Sequence, residues 1–463
     1  MRVLLLNPPG RRIYIRDYLC SKTTKSNYLF HPVDLVVLSG LLAEEHEVSV
    51  LDCMAERLPP AEALVRIQTA APEVCVMLVG AVSWEEDRVF GEALSGTGIR
   101  ILAIGDILHE ASELRLRKEP WIEAAVHVFA NGDVPAYLRG ELEEIEDMTV
   151  RDPDAGRTPR RTQRVTPRQR RGSFRIPRPR HELFPERGYR FSFAREKRFA
   201  TVLTDYGCPY PCTFCVIGTL GFQTRPTTDV LDEIDFLRTK GKREIFFVDQ
   251  TFGVKRKRAL ELCRAFEERG DLSWTAFTRP DTLDSELADA MRRGGCHTVI
   301  LGAESADEAV LKGTRKGYDT AAVRRGFQTA KYAGLRTVGT FILGLPEETD
   351  ASLERTLQFA LELELDFLSL NVAVPRSGTA FRSRALELGL CTLEDLVMDQ
   401  GGAGGLLPSK TLNAAEVIRL KRRFNRRFYL RPGYLWKRLR AVRTPWELFA
   451  QAREGAALLR RNL

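Results

Sequence analysis

Over the first 140 residues, apolar and polar positions fall into alternating blocks. Apolar runs at Val3–Leu6, Val48–Leu51, Val74–Val79, Ile99–Ile104 and Ala125–Ala130 have the length and two-sided apolarity of buried parallel strands. Segments of helical period, Asp34–Glu45 and Ala61–Thr69, lie between them. The alternation predicts a doubly wound α/β sheet of about five strands, whose ligands bind beyond the carboxyl strand ends. The connection after the first strand, from Asn7 to about Pro32, is long, polar and aromatic, and it overhangs that edge.

A second series follows. Strands are predicted at Thr201–Thr204, Glu244–Val248, Trp274–Phe277, Thr298–Leu301, Arg336–Ile342 and Phe367–Val372, with helices between them. Six units in one direction predict a partial parallel barrel with its chemistry at the carboxyl strand ends. The pattern then changes. Glycines break the chain at Gly401–Leu407, and a helix starts after Asn413, a good N-cap, and stops before Pro432. A second basic amphipathic segment carries Tyr434, Trp436, Trp446 and Phe449. The expected division is therefore a Rossmann-like domain (1–145), a linker (146–195), a barrel (196–380) and a helical C-terminal region (381–463).

Length agrees, since 463 residues exceed one ordinary core. With 44% apolar and 29% charged residues the composition is that of a soluble globular protein. No apolar run reaches a membrane span. "MRVLLLNPPG" reads as a first strand and not as a leader, so a cytoplasmic protein is expected. The net charge of +8 is concentrated: residues 151–180 hold eleven arginines and two aspartates, and the rest of the chain is near neutral. The strap, residues 151–195, is either a solvated linker or a segment that wraps both domains or meets an anionic partner. The basic aromatic C-terminus is either a cap on the barrel or a peripheral membrane contact.

Nine cysteines, an odd number in a chain without an export signal, argue against a disulfide framework. Six are scattered, as small buried hydrophobes are. Cys208, Cys212 and Cys215 are not: "GCPYPCTFC" puts them on one short loop after the first barrel strand. A zinc site would want a fourth Cys or His nearby, and the next histidine is His297. Three thiols can hold three irons of a 4Fe–4S cluster and leave the fourth iron open to a substrate or cosubstrate.

"CPYPCTFC" resembles the CxxxCxΦC signature of radical S-adenosylmethionine (SAM) enzymes, where Φ is aromatic. The resemblance implies that Cys208, Cys212 and Cys215 ligate the cluster, that Phe214 lies by the adenine of SAM, and that the open iron chelates SAM for reductive cleavage to a 5′-deoxyadenosyl radical. Further motifs resemble those at the family's strand ends. "FFVDQTF" offers Asp249 and Gln250 to the SAM amino group, and "WTAFTRPD" offers Arg279 to its carboxylate or ribose. "LGAES" places Glu304 and Ser305 near SAM, and "GTFILGLPEET" brings the backbone at Gly344–Pro346 to adenine. "VPRSGT" resembles the sixth-strand exit.

A Rossmann-like domain ahead of such a barrel resembles the cobalamin-binding radical SAM enzymes over nearly the whole chain. One departure matters. Where cobalamin domains that supply a lower cobalt ligand use D-x-H-x-x-G, this chain reads Asp52-Cys53-Met54-Ala55-Glu56-Arg57. The resemblance then implies base-off cobalamin without a histidine ligand, contacted at Asn7, Asp52, Ser83, Gly105, Asp106 and Gly132. The implied activity is cobalamin-dependent methylation of an unactivated carbon in a hydrophobic substrate (lipid, tetrapyrrole or natural product), with flavodoxin or ferredoxin as electron donor. The alternatives are a cyclase or ring-rearranging enzyme with the same cofactors, and a tRNA methylthiotransferase holding a second cluster on Cys20, Cys53 and Cys75. A non-enzymatic cobalamin-binding protein is a further one. Nucleic acid is not an expected partner.

Overall fold

The computed structural model describes residues 1–152, 156–395, 399–401, 412–442 and 445–462. The break from Gly402 to Leu407 and the side chain of Trp446 lie outside the described residues.

The first sheet has seven strands: β1 (Arg2–Asn7), β2 (Glu47–Asp52), β3 (Val74–Leu78), β4 (Arg100–Ile104), β5 (Ala124–Val126), β6 (Asp147–Asp152) and β7 (Thr158–Gln163). Their order is β2-β1-β3-β4-β5-β6-β7. The five strands expected from the apolar runs are parallel. β3 is buried along its whole length because helices cover both faces. β6 and β7 add an antiparallel edge, so the sheet runs past residue 145 into the arginine strap. Charge hid this edge in the sequence. In β7 Pro159 and Thr162 point inward while Arg160 stays exposed, and Arg161 pairs with Asp147 at 2.8 Å.

The rest of the strap is docked as well. Phe174 and Ile176 are buried, Ser173 bridges to Thr224, and the buried Arg170 donates to the Leu220 carbonyl. It wraps both domains, the second of the two sequence readings.

The barrel sheet comprises β8 (Phe199–Val202), β9 (Glu244–Phe247), β10 (Ser273–Thr278), β11 (Cys296–Glu304), β12 (Arg336–Leu343) and β13 (Phe367–Val372), parallel and in sequence order. The connection after β1 covers the switch point between β1 and β3. It holds only a two-residue ribbon, Tyr14–Ile15 against Lys22–Thr23. Polar as it looks in sequence, it buries Ile15, Tyr18 and Leu19 in a core shared with Val3, Phe129, Tyr206 and Phe246. The two domains thus share one hydrophobic core, and Leu29 pairs with Arg190 of the strap.

Asn413 caps the helix Ala414–Tyr429 through a capping box with Glu416. Pro432 opens the next helix, to Ala441, and a last one spans Pro445–Asn462. These helices close over the barrel as a cap. Among the described residues no helix is long and apolar enough to cross a membrane.

Candidate active site

A chamber of about 1050 Å³ opens between the carboxyl ends of the barrel strands, the Arg12–Phe30 loop and the C-terminal helices. Cys208, Cys212 and Cys215 all line it.

The cysteine loop is held by its backbone. Asp205–Gly207 pairs antiparallel with Phe222–Thr224 and closes the loop's base. Gly207 has φ +78°, and a Cβ there would come within 1.9 Å of the Gly221 carbonyl oxygen, so glycine is required. Its N–H donates to Tyr18 Oη at 2.5 Å, which ties the loop to the first domain. The Cys208 N–H donates to Gly221, and the Thr213 N–H donates to Thr314.

The thiols are half-buried and unpaired. Burial and the neighbouring Cys212 raise the Cys208 pKa; burial, with Cys208 and Cys212 nearby, pushes Cys215 up to about 12. Loading iron must therefore displace protons from them. Among the described residues no three His, Cys, Asp or Glu side chains converge on one point as a single ion requires. A cube takes each thiolate on a different iron, so three cysteines spread along one wall suit a cluster. Cys20 also lines the chamber, whereas Cys53 and Cys75 lie buried in a separate core. The three cannot share a second cluster.

Of the residues expected around SAM, Phe214, Gln250, Arg279 and Glu304 face the chamber. Phe214 packs beside Ile342 and Phe381. Arg279 is held bidentate by Asp281, with both contacts at 2.9 Å, and its guanidinium carbon lies 3.6 Å from the Tyr210 ring centroid. Glu304 has φ +60° at the bulge that ends β11, a strained conformation of the kind that gathers at active sites. It pairs with Lys316 at 2.7 Å. The carboxylate folds back over Gly302, where a Cβ would meet it at 2.5 Å.

Four other expected contacts are placed differently. Asp249 is buried and accepts hydrogen bonds from the Thr204 N–H and hydroxyl and the Asp205 N–H, so it braces the exit of β8 rather than facing a ligand. Ser305 Oγ lies 3.3 Å from the Thr356 hydroxyl and accepts from the Asp307 N–H. The Gly344 N–H donates to Glu348, and Pro346 is exposed. None of the four lines the chamber. Lys316, Tyr210 and Thr251 do, and sequence reasoning missed them. Lys316 sits twelve residues past Glu304, where no motif spacing marks it.

The expected cobalamin contacts form an internal network. Asn7 donates to Asp52 at 2.9 Å, and Tyr189 of the strap donates to the other Asp52 oxygen at 2.8 Å. Buried Arg16 donates to Asn7, Ser83 and Asp87. Asp106 accepts from Ser21 and from the Ala81 N–H. Gly105 is a packing glycine, since a Cβ would lie 1.7 Å from the Val79 carbonyl oxygen. Gly132 precedes the helix Asp133–Arg139. None of the six lines the chamber. The loop covers them, and the surface presented to the chamber is the loop itself, including Arg12, Tyr18, Cys20 and Tyr28.

An open parallel barrel with three thiols on its first strand exit, facing an enclosed chamber, defines an enzyme that mounts an iron–sulfur cluster beside a cosubstrate. Residues 202–360 match the Radical SAM superfamily. The barrel, cysteine loop included, is a radical SAM domain.

An uncharacterised methyltransferase of Pyrococcus horikoshii is 29% identical over 88% of this chain and 89% of its own. The hopanoid C-2 methylase of Rhodopseudomonas palustris is 26% identical over 72% and 66%, and the anaerobic magnesium-protoporphyrin IX monomethyl ester cyclase of Synechocystis 25% over 86% and 80%. Among solved structures, the radical SAM methyltransferase TsrM of Kitasatospora setae, bound to cobalamin and a [4Fe-4S] cluster, superposes with a TM-score of 0.67 at 19% identity, over 84% of this chain and 75% of that one. The cobalamin-dependent enzyme OxsB does so with 0.67 at 14% identity, over 99% and 71%. The chain shares their fold.

Proposed function

We propose that this enzyme methylates an unactivated carbon of a hydrophobic small molecule with cobalamin as a second cofactor. One observation carries the reading: the three cysteines, the SAM-side residues and the loop of the Rossmann-like domain all face one chamber. At about 1050 Å³ it lies just above the ~300–1,000 Å³ range usual for single small-molecule pockets, as a site for more than one ligand requires. When bound, the cluster and SAM supply a carbon radical and cobalamin supplies the methyl group.

The chain's own part is placement and exclusion of water. Cys208, Cys212 and Cys215 hold the cluster. Phe214 and Ile342 offer an apolar seat for adenine. Gln250, Arg279 and the Glu304–Lys316 pair address the polar end of SAM. Asp249, Ser305 and Gly344 act one layer back, by fixing the strand exits. The Arg12–Phe30 loop presents the corrin-facing surface, and no histidine reaches the chamber from the Asp52–Arg57 segment. Reducing equivalents come from a donor such as flavodoxin or ferredoxin. Nine unpaired cysteines suit a reducing compartment, the cytoplasm.

The test is anaerobic reconstitution with iron, sulfide and hydroxocobalamin, followed by reduction and addition of SAM. Formation of 5′-deoxyadenosine and a cobalamin spectrum that co-purifies with the protein are expected. No SAM cleavage would refute the reading. Likeness to the cyclase keeps cyclisation as the second reading, and a product heavier by one methylene decides for methylation.

A further inference from the structure

The chamber is electrically lopsided. Nine of its lining side chains are cationic and three are carboxylates. Four of the cations have acidic partners: Arg279 with Asp281, Lys316 with Glu304, Arg376 with Asp106 and Arg438 with Asp366. Two deep lysines differ. Lys25, from the loop of the first domain, donates to Ser369 Oγ at 2.9 Å and Asn371 Oδ1 at 2.6 Å, both on β13. Lys421, buried on the helix Ala414–Tyr429, donates to the Gly401 carbonyl at 2.5 Å. Every one of these acceptors is neutral. The nearby Asp399 is taken up by the Thr23 N–H and hydroxyl and by the Gly401 N–H.

We propose that Lys25 and Lys421 form an oxyanion subsite on this wall, and that the substrate is an acid with an apolar body whose carboxylate or phosphate the two ammonium groups bind. The inference rests on the functional reading above only in placing the substrate in this chamber. An ammonium has three donors; among the described residues Lys25 uses two and Lys421 one on protein oxygens, so each has hydrogen bonds left to give there. Burial, and for Lys25 also the charges of Lys421 and Lys22, hold both pKa values below the usual lysine range, Lys421 at about 8. Asp399 lies close enough to offset part of this charge, and the two ammonium groups still outnumber it, an excess that a bound anion relieves. The apolar body has a wall of its own. Ile418, Leu430, Leu435, Leu439, Leu448 and Leu458, from three C-terminal helices, line the same chamber. Leu435 and Leu439, one turn apart, are 53% and 56% exposed, which marks the outer edge through which such a molecule enters.

The test uses the reconstituted holoenzyme and a fluorescent long-chain acid, cis-parinaric acid, with its neutral methyl ester as control. The wild type should bind the acid roughly tenfold or more tightly than the ester, the size of a lost charge-assisted hydrogen bond. Lys25→Met and Lys421→Met should each reduce that preference, and Lys421→Arg should retain it with the charge. Far-UV circular dichroism identifies any variant that fails to fold, and the wild-type comparison of acid with ester stands without them. Equal binding of acid and ester by the wild type, or an unchanged preference in folded Met variants, overturns the proposal. So does a loss of hydroxocobalamin affinity in those variants with the acid preference intact, because the lysines would then hold the cofactor's own phosphate. Failure of the wild type to cleave SAM would count against the functional reading and leave this binding comparison standing.

Discussion

Glu304 and Lys316 form a buried ion pair, 2.7 Å between Oε1 and Nζ, at the chamber face of β11. Burial opposes the lysine's charge, but Glu304, Tyr318 and Cys212 together outweigh it and raise the ammonium's pKa well above the ordinary value. Lys316→Met should strand the carboxylate and destabilise the protein by about 3–5 kcal/mol, read by urea unfolding. Glu304→Gln with Lys316→Met should recover most of that loss and still fail to cleave SAM. Recovery of both stability and SAM cleavage in the double variant would show that the pair is structural only.

The cysteine loop separates folding from cluster binding, because backbone hydrogen bonds hold it and its thiols make no disulfide. Cys212→Ala should fold normally, lose the brown cluster absorbance and lose SAM cleavage. Iron analysis gives a second check. One cluster means about four irons per wild-type chain. Replacing Cys20, Cys53 and Cys75 together should not lower that number, since Cys53 and Cys75 lie in a core away from the chamber. About eight irons would restore the methylthiotransferase reading.

The architecture was legible because both sheets are parallel and covered, so their strands stand out as apolar runs. The cysteine triad was legible because its spacing is local. What sequence could not show were long-range choices of partner. Asp249 is a candidate ligand as a letter, but three donors from the β8 exit claim it. Asn7, Asp52 and Ser83 sit at strand ends as expected, yet Arg16 and Tyr189 arrive from 9 to 137 residues away and engage them. The Pro8–Pro32 connection looked polar because its charges are visible in sequence and its packing is not. The arginine strap misled in the same way, since an edge strand with outward arginines has the composition of a linker.

Asp205 and Asp249 give a pH dependence with a definite sign. Burial and the charge of Asp249 push Asp205 up to about 8, against the opposing pull of Arg258; burial raises Asp249 as well. A carboxyl group with a raised folded pKa binds more protons in the folded than in the unfolded state. Its stabilising share is therefore present below the unfolded value near 3.8 and is lost as pH rises through about 8. Between pH 5 and 8 the wild type should lose stability by at most about 1.4 kcal/mol per pH unit from this group. Asp205→Asn should flatten the curve measured by denaturant unfolding. An unchanged slope would show that Asp205 is ionised throughout.

Met54 stands where a lower cobalt ligand would have its histidine, and the structure puts it in the shared hydrophobic core. Its neighbour Asp52 is saturated by Asn7, Tyr189 and the Ala55 N–H, which leaves that segment fully engaged within the protein. Met54→Ala should cost about 2–5 kcal/mol of stability, as a large-to-small core change does. It should leave the affinity and the absorption spectrum of bound hydroxocobalamin unaltered, because the thioether is packed inside the core and away from the chamber lining. Tyr189→Phe should likewise weaken the fold through Asp52 without moving the cobalamin spectrum. A spectral shift on Met54→Ala would place the sulfur at cobalt, and the loop between β1 and the helix Val33–Leu42 would then have to open for the cofactor to reach it.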